Sequence, residues 1–362
     1  MNGRAFWSRR VWRREGLAGT LAHFVAQPLS LGYSCAVRAR NALYSVGLLP
    51  TKALPRPVVS IGNLTVGGSG KTPTAVWLAQ QLERRGYRVA TLTRGYGRRA
   101  RAVVILDGGR PGGSGAIDVE AAGDEAWMMA SLFGQKVAVA RRRYEAGRRL
   151  LESCDVDIFL LDDGYQHRQL KRDIDVLLLG EEHGTAFLPA GPLREPLGAI
   201  DRADFVLVTG AREKWRAVLE RRGRADRVFF ATAEPKCLRS WEGDRWREWP
   251  LARLAGAKVI AVCGVARPEA FYRMLTEWEA EIVDVVEFDD HHSYSGRDWQ
   301  RVNRASQKAN LVVTTEKDIV KLLRFPFAKG RLAALRLEMA VERGDELVEK
   351  IARLIGARLT RR

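Results

Sequence analysis

The stretch that decides the fold is I-G-N-L-T-V-G-G-S-G-K-T-P, residues 61–73. An apolar run at residues 58–61 predicts a strand, and the residues from Lys71 onward predict a helix with Pro73 near its start. The glycines let backbone N–H groups turn toward phosphate oxygens, and the start of the helix adds partial positive charge. The sequence therefore predicts a site for the phosphates of a nucleoside triphosphate.

Two polar residues at the end of this loop carry the chemistry of the predicted site. Lys71 is placed to reach the β- and γ-phosphates, and the hydroxyl of Thr72 is placed to bind Mg²⁺. The usual eight-residue pattern begins with glycine where this chain has Thr65, and the glycines further along supply the flexibility instead. The predicted nucleotide-binding residues are Thr65, Val66, Gly67, Gly68, Ser69, Gly70, Lys71 and Thr72.

Composition sets the broad class. A length of 362 residues suits two domains better than one, because single cores stop growing near about 250–300 residues. The net charge of +17 favours phosphates, nucleic acid or anionic membrane surfaces as partners. We expect no nucleic acid, since no RNA-binding signature is present. The four cysteines are scattered without a C-x-x-C, which argues against a disulfide framework and a zinc site.

Strand and helix patterns alternate along the chain after the loop, which predicts a doubly wound α/β sheet of the P-loop NTPase type covered on both faces. The pattern changes near residue 224. Residues 227–232 and the tryptophan-rich residues 241–249 predict an antiparallel ribbon, after which strand and helix alternate again. The predicted organisation is an N-terminal segment at 1–40, a larger P-loop domain at 41–223 and a smaller α/β domain at 224–362.

The N-terminal segment has a composition that suggests contact with a membrane. Residues 16–37 contain no Asp, Glu, Lys or Arg and have arginines on both sides. A spanning helix is long enough, but polar residues and a proline weaken it. A signal peptide conflicts with the nucleotide site that follows. A helix packed on the domain core is the plain alternative, and we favour a helix at the membrane interface. The expected aromatic anchors are Phe6, Trp7, Trp12 and Phe24.

A second apolar strand, at residues 158–161, ends in Asp162 and Asp163. A carboxylate at the end of a strand beside a phosphate loop holds the Mg²⁺ or its waters in P-loop enzymes. The sequence G-Y-Q-H-R follows directly, and its His167 is expected to line the same cleft.

Other polar clusters are ambiguous when taken singly. Asp124 and Glu125 open a helix, where acids also serve simply to complement the helix dipole. Arg194 and Glu195 form a charged pair held between two prolines. The sequence F-D-D-H-H at 288–292 fits a metal site, an acid–base relay or a solvated loop about equally. Residues 314–318, T-T-E-K-D, end a strand, where α/β folds place function.

Together these blocks resemble the tetraacyldisaccharide 4′-kinases, the lipid A kinases of Gram-negative bacteria. The family usually carries Leu at Tyr165 and often Pro at Asp289, and we take both as tolerated variation. The matching blocks are I-G-N-L-T-V-G-G-S-G-K-T-P (61–73), T-R-G-Y-G-R (93–98), G-D-E-A (123–126), D-D-G-Y-Q-H (162–167), P-A-G-P-L-R-E-P (189–196), F-D-D-H-H-S-Y (288–294) and T-T-E-K-D (314–318).

The resemblance implies transfer of the ATP γ-phosphate to the 4′-hydroxyl of a tetraacylated glucosamine disaccharide 1-phosphate, giving lipid IVA, with ATP and Mg²⁺ as cofactors. It implies two α/β/α domains joined by a two-stranded ribbon. It also implies a peripheral or monotopic enzyme that contacts the cytoplasmic face of the inner membrane through its N-terminal helix.

The resemblance further assigns site residues. Asp124 is expected to be the general base, with His291 rather than His292 as its partner across the interdomain cleft, so that the pair assembles on closure. The residues expected to handle Mg²⁺ are Thr72, Asp162, Asp163 and Glu125. The residues expected in the substrate cleft are Arg194, Glu195 and His167.

Two other classes compete with this interpretation. Partitioning and metal-insertion ATPases carry a lysine at the position of Val66, which counts against them here. A GTPase needs N-K-x-D after a strand, and residues 315–318 are the nearest approach. The sequence leaves open the acyl-chain preference, the oligomeric state and the depth of the N-terminal helix in a membrane. It also leaves open which of His291 and His292 pairs with Asp124.

Overall fold

The computed structural model describes residues 10–12, 14–108, 119–182, 184, 186–223, 225–265 and 267–359. The strands of this part are β1 (Val58–Asn63), β2 (Val89–Thr93), β3 (Val104–Asp107), β4 (Lys136–Val139), β5 (Ile158–Asp162), β6 (Ile174–Leu179), β7 (Phe205–Val208), β8 (Val228–Glu242), β9 (Arg245–Trp249), β10 (Lys258–Cys263), β11 (Glu281–Glu287), β12 (Leu311–Thr315) and β13 (Leu332–Val341). The α-helices are α1 (Gly16–Ser45), α2 (Lys71–Glu83), α3 (Val119–Ala122), α4 (Asp124–Phe133), α5 (Arg143–Leu151), α6 (Arg212–Glu220), α7 (Pro268–Glu277), α8 (Gly296–Ser306), α9 (Glu316–Leu322) and α10 (Gly344–Leu359).

The described chain forms two compact units, and neither unit is continuous in sequence. The larger unit draws on Gly3–Arg94, Arg142–Ala233 and Met339–Arg362, and the smaller unit draws on Gly95–Arg141 and Glu234–Glu338. This division differs from the predicted boundary between residues 223 and 224. The reason is helix packing, because α4 contacts α9 in the smaller unit and α10 contacts α2 in the larger one.

The larger unit contains a parallel sheet with the strand order β2-β5-β1-β6-β7-β8. Its residues alternate between two cores, as β6 illustrates: Val176 and Leu178 belong to one cluster, and Leu177 and Leu179 belong to the other. Every residue of β6 is buried, as expected of a parallel strand covered on both faces. The predicted doubly wound α/β fold is therefore confirmed.

The smaller unit contains parallel strands in the order β11-β10-β12-β13. Strands β3 and β4 form an antiparallel pair, and β9 pairs antiparallel with the end of β8. The predicted ribbon is correct for the tryptophan-rich residues and wrong for residues 227–232. The first residues of β8 pair in parallel with β7 instead, because β8 is 15 residues long and only its last part reaches β9.

Helix α1 belongs to the larger unit and buries a small, polar face. Ser30 donates to the carbonyl oxygen of Phe187 at 2.8 Å, and Asn41 donates to Glu195 at 2.8 Å. No helix in the described ranges is long and apolar enough to cross a membrane. The predicted anchors Phe6 and Trp7 lie outside the described residues. The large apolar residues that α1 exposes are Leu17, Leu21, Phe24, Val25, Leu29, Leu31 and Leu43.

Candidate active site

The predicted phosphate loop connects β1 to α2 in the larger unit. Gly67 and Gly70 have φ values of 123° and 77°, a left-handed backbone that side chains rarely adopt. The loop is fixed at Ser69, because Asn63 donates to the Ser69 hydroxyl at 2.9 Å and Thr209 donates to the Ser69 carbonyl at 2.9 Å. Helix α2 begins at Lys71, so its N-terminal N–H groups face the loop, as anion binding requires.

The paired acids lie at the carboxyl end of β5, next to the loop, because β1 and β5 are parallel neighbours with Ile61 opposite Asp162. Asp163 Oδ1 lies 3.6 Å from Lys71 Nζ and 3.1 Å from Arg194 Nη1. Burial acts to raise the pKa of Asp163, but the charges of Lys71 and Arg194 outweigh burial and hold the pKa below its ordinary value. The loop lysine and a carboxylate therefore meet in one place.

The chemistry of these side chains suits Mg²⁺. Carboxylate oxygens of Asp162 and Asp163 and the hydroxyl of Thr72 are the hard oxygen ligands that this ion prefers. Glu125 lies in the smaller unit, where its Oε1 is 3.7 Å from Lys317 Nζ. Its predicted part in Mg²⁺ binding stays a prediction. Among the described residues, no group of three or more His, Cys, Asp or Glu forms a ready-made metal cluster.

The predicted cleft residues of the larger unit differ in their surroundings. Arg194 contacts Asp163, as described above, and so borders the acids. His167 Nδ1 lies 3.3 Å from Arg143 Nη1. Burial and then the charge of Arg143 lower the pKa of His167 to about 3, so its ring is neutral at pH 7 and accepts from Arg143. Arg143 was not predicted, and its only signal is the arginine run at residues 141–143.

Glu195 has an internal position. Its side chain is 1% exposed, and its oxygens take hydrogen bonds from Asn41 at 2.8 Å and from Arg202 at 2.9 and 3.3 Å. These bonds tie α1 to the short helix Leu197–Arg202. The geometry supports a role in holding these segments together, and a direct substrate contact stays a prediction.

In the smaller unit, the start of α4 brings Asp124 against His291. The histidine Nδ1 lies 3.1 Å from each carboxylate oxygen of Asp124. Gly123 fixes the approach to the helix, because its φ is 91° and a side-chain carbon there would lie 2.9 Å from the Tyr96 carbonyl oxygen. His291 itself has φ 60° in the loop after β11. The predicted pair is therefore present, with its histidine held in an uncommon backbone conformation.

The two neighbouring histidines have different partners. His292 Nε2 lies 3.1 Å from Asp298, in the capping box that starts α8. His291 is the one that meets Asp124, which answers the question left open by the sequence. The expectation that the pair spans two domains is wrong for these units, because Gly95–Arg141 folds with the smaller unit and brings Asp124 with it.

Two lysines on α9 complete this cluster and were missed as site residues. Lys317 Nζ lies 3.0 Å from His291 Nε2 and 2.8 Å from Asp290 Oδ1. Lys321 Nζ, one helical turn later, lies 3.5 Å from Asp124 Oδ2. The strand-end motif at 314–318 gave a signal for Lys317. Spacing of four residues on a helix gives the signal for Lys321.

The charges around Asp124 set its protonation. Its side chain is 7% exposed, and burial alone would raise its pKa. The hydrogen bond from His291 and the charges of Lys317 and Lys321 outweigh burial and lower the pKa of Asp124 to about 2. Asp124 is therefore a carboxylate at neutral pH, held in a largely buried place by positive and polar partners.

Comparisons with known proteins show the family to which the chain is similar. A family model described as Tetraacyldisaccharide-1-P 4′-kinase matches residues 22–356. A tetraacyldisaccharide 4′-kinase of Halothermothrix orenii is 36% identical over 83% of each chain. Another, from Anaeromyxobacter sp. strain K, is 39% identical over 94% of this chain and 93% of its own.

The fold has a solved counterpart as well. A crystal structure described as an "apo" form of LpxK from Aquifex aeolicus in complex with ATP is 33% identical in sequence and matches with a TM-score of 0.74. The match covers 91% of this chain and 98% of that one. The sequence motifs, the doubly wound fold and these relatives lead to one conclusion. The chain belongs to the tetraacyldisaccharide 4′-kinase family.

Proposed function

We propose that this protein transfers the γ-phosphate of ATP to the 4′-hydroxyl of a tetraacyldisaccharide 1-phosphate and so forms lipid IVA. One observation carries the proposal: the chain holds both a phosphate loop with paired acids and a buried Asp124–His291 pair. A nucleotide switch needs only the first of these. A kinase needs the second as well, to take a proton from the attacking hydroxyl.

The donor half is the loop at residues 65–72. Its backbone N–H groups and the start of α2 hold the phosphates, and Lys71 neutralises charge at the transferring group. Thr72, Asp162 and Asp163 would hold Mg²⁺, which when bound offsets the negative charge that builds on the β- and γ-phosphates. Arg194 keeps Asp163 in place at 3.1 Å and adds a positive charge beside it.

The acceptor half is the Asp124–His291 pair. A carboxylate with a pKa of about 2 holds a proton too weakly to take one from a hydroxyl, and the ring of His291 lies 3.1 Å from it. We therefore assign the negative charge to Asp124 and the incoming proton to His291, which refines the prediction that Asp124 is the base. The hydroxyl oxygen then forms the bond to the γ-phosphorus, and the bond to the bridging oxygen of ADP breaks.

Arg194, which contacts Asp163, and His167, which contacts Arg143, are our candidates for contacts with the acceptor. The neutral ring of His167 accepts from Arg143 at Nδ1, which leaves its other ring nitrogen as a hydrogen-bond donor. Arginine is suited to phosphate groups because its planar guanidinium binds two oxygens at once. Arg194 therefore fits a role near the phosphates better than a role in folding alone.

The exposed face of α1 supports contact with the membrane surface. The helix turns serines and His23 toward the protein and leaves leucines, Phe24 and Val25 exposed, the reverse of an ordinary surface helix. Such a face, with Arg38 and Arg40 at one end, suits the boundary of an anionic bilayer. Because ATP is cytosolic and the acceptor is a lipid, we place the protein at the cytoplasmic face of the inner membrane.

The direct test uses radiolabelled ATP and purified tetraacyldisaccharide 1-phosphate in detergent micelles. We expect a labelled lipid whose new phosphate is at the 4′ position, and none with Lys71→Met. GTP in place of ATP should give little product. ATP hydrolysis that is equally fast with and without lipid, with no labelled lipid, would point to a switch ATPase and end the proposal.

A further inference from the structure

The ammonium of Lys317 lies at the centre of the acceptor half, among three acids and one imidazole. Its Nζ is 2.8 Å from Asp290 Oδ1 and 3.0 Å from His291 Nε2. The next carboxylate oxygens are those of Glu125 at 3.7 Å and Asp124 at 4.0 Å. All of these residues belong to the smaller unit. The lysine therefore contacts the ring nitrogen of His291 that is opposite Asp124.

The direction of each hydrogen bond follows from the lysine. Lys317 carries the ordinary positive charge of a lysine, and its Nζ is paired with Asp290 Oδ1 at 2.8 Å. An ammonium can only donate, so Nε2 of His291 must accept. The ring proton then lies on Nδ1, where it is donated to Asp124 at 3.1 Å. The contacts thus select one neutral tautomer of the ring.

Within the ranges that the structure describes, the other neighbours of the His291 ring do not replace Lys317 as the donor to Nε2. The ring of Tyr96 lies against the His291 ring at an angle of 47°, with centroids 4.6 Å apart. Asp290 Oδ1 lies 4.0 Å from Nε2. From α9, Lys321 contacts Asp124 rather than the ring, and from its own loop His292 faces Asp298. Lys317 is therefore the cation in contact with Nε2.

The same geometry allows Lys317 to give up its hydrogen bond to Nε2 of His291. Lys317 holds its bond to Asp290 at 2.8 Å while it also contacts Nε2, so loss of the second bond leaves the ammonium paired. A hydroxyl that takes the place of the ammonium meets an unprotonated Nε2 with the ring already aligned by Asp124. Proximity and alignment of this kind lower the barrier for proton transfer.

We propose that Lys317 is a positioning residue for the base. It donates to Nε2 of His291 and so keeps that nitrogen unprotonated, and it yields Nε2 to the acceptor hydroxyl while Asp290 retains the ammonium. This proposal rests on the proposed role of the Asp124–His291 pair. Without the lysine, the ring lies between the carboxylates of Asp124 and Asp290 and takes a second proton at Nε2, which removes it as a base.

The first test is spectroscopic and independent of kinase activity. Full-length protein labelled with ¹⁵N at its five histidines is compared with Lys317→Met by NMR, and His291 is assigned as the signals missing from His291→Gln. We expect a ring with its proton on Nδ1 and none on Nε2 in the wild type at pH 7.5, because Lys317 donates to Nε2, and a ring protonated at both nitrogens in Lys317→Met. Lys317→Arg should keep the wild-type pattern, and Lys308→Gln, an exposed lysine on the same unit, is the matched control.

The second test is kinetic. Lys317→Met should lower kcat at least about tenfold with an unchanged KM for ATP. Lys317→Arg should have a kcat between those of Lys317→Met and the wild type. Thermal unfolding shows whether each variant is folded. A wild-type ring protonated on Nε2, or a Lys317→Met ring that stays neutral with full kcat, overturns the proposal. Full activity in His291→Gln would instead show that His291 is not the base. The NMR comparison of the wild type with Lys317→Met would still show whether Lys317 controls the protonation of the ring.

Discussion

Nδ1 of His291 lies 3.1 Å from both carboxylate oxygens of Asp124, although 167 positions separate the two residues in the chain. The contact joins the first residue of α4 to the loop after β11. Each residue is held by its own backbone, Asp124 by the turn at Gly123 and His291 by its left-handed conformation. The pair is therefore set by the fold of the smaller unit before any substrate arrives.

Removal of either member of this pair should lower the rate of phosphate transfer. We expect Asp124→Asn and His291→Gln to reduce kcat by roughly 10²–10⁴, the usual contribution of a general base, with little change in the KM for ATP. The matched control is His292→Gln, whose ring faces Asp298 instead. The measurement is the initial rate of lipid phosphorylation at saturating ATP. Near wild-type rates in folded Asp124→Asn would remove this residue from the mechanism.

The hydroxyl of Thr72 should determine how much Mg²⁺ the enzyme needs. Thr72→Ala removes an oxygen that would hold the ion, and Thr72→Ser keeps it, so the two variants differ in that one group. We expect Thr72→Ala to need about tenfold or more Mg²⁺ for half-maximal activity, and Thr72→Ser to stay near the wild type. A Mg²⁺ titration of activity measures both. Equal Mg²⁺ curves for the two variants would contradict this assignment.

The exposed face of α1 should govern binding to lipid. Leu21→Glu with Leu29→Glu places two charges on that face, and each lost leucine contact removes about 1.5–3 kcal/mol of apolar transfer free energy. We expect at least a tenfold loss of partitioning to anionic vesicles in a flotation assay, with an unchanged melting temperature because both side chains are exposed. Val285→Glu, at an exposed valine on β11, is the control and should float normally. An unchanged floating fraction in the double variant would rule out this face.

Stability should fall as the pH rises toward neutrality because of Glu316. Its side chain is 11% exposed, and burial raises its pKa from the ordinary 4.5 to about 7, despite the nearby Arg239. The folded state therefore prefers the protonated acid. Below pH 4.5 the folded and the unfolded state both carry the proton on Glu316, so this group does not change the free energy of unfolding there. Between pH 4.5 and 7 the unfolded chain releases its proton first, which lowers the free energy of unfolding by up to about 3 kcal/mol.

Glu316→Gln should remove this dependence, because an amide carries no charge and its oxygen still accepts from the backbone of Leu337, 3.2 Å away in the wild type. We expect the variant to be more stable than the wild type at pH 8 and equal to it at pH 4. Urea unfolding at both values provides the comparison, with Glu281→Gln at an exposed position as control. A wild type whose stability is flat from pH 4 to pH 8 would show that Glu316 is not held protonated.

The sequence by itself determined the parts that depend on neighbours in the chain. The phosphate loop, the strand ending in Asp162 and the helix over Asp124–Phe133 all follow from local patterns of glycine, apolar and acidic residues. These elements depend only on the conformation of the local backbone and on the spacing of apolar residues along the chain. The same holds for the uncharged N-terminal stretch, although its pattern alone left four interpretations.

The tertiary structure alone decided which distant segments share a unit. Gly95–Arg141 joins the smaller unit because α4 packs against α9, and this moved Asp124 away from its predicted position across a cleft from His291. It also brought Lys317 to Nε2 of that histidine and showed that α1 buries its polar face. Such contacts arise from burial of apolar surface and pairing of charges between segments far apart in sequence. No local pattern records them, because the partner of each residue is chosen only when the chain folds.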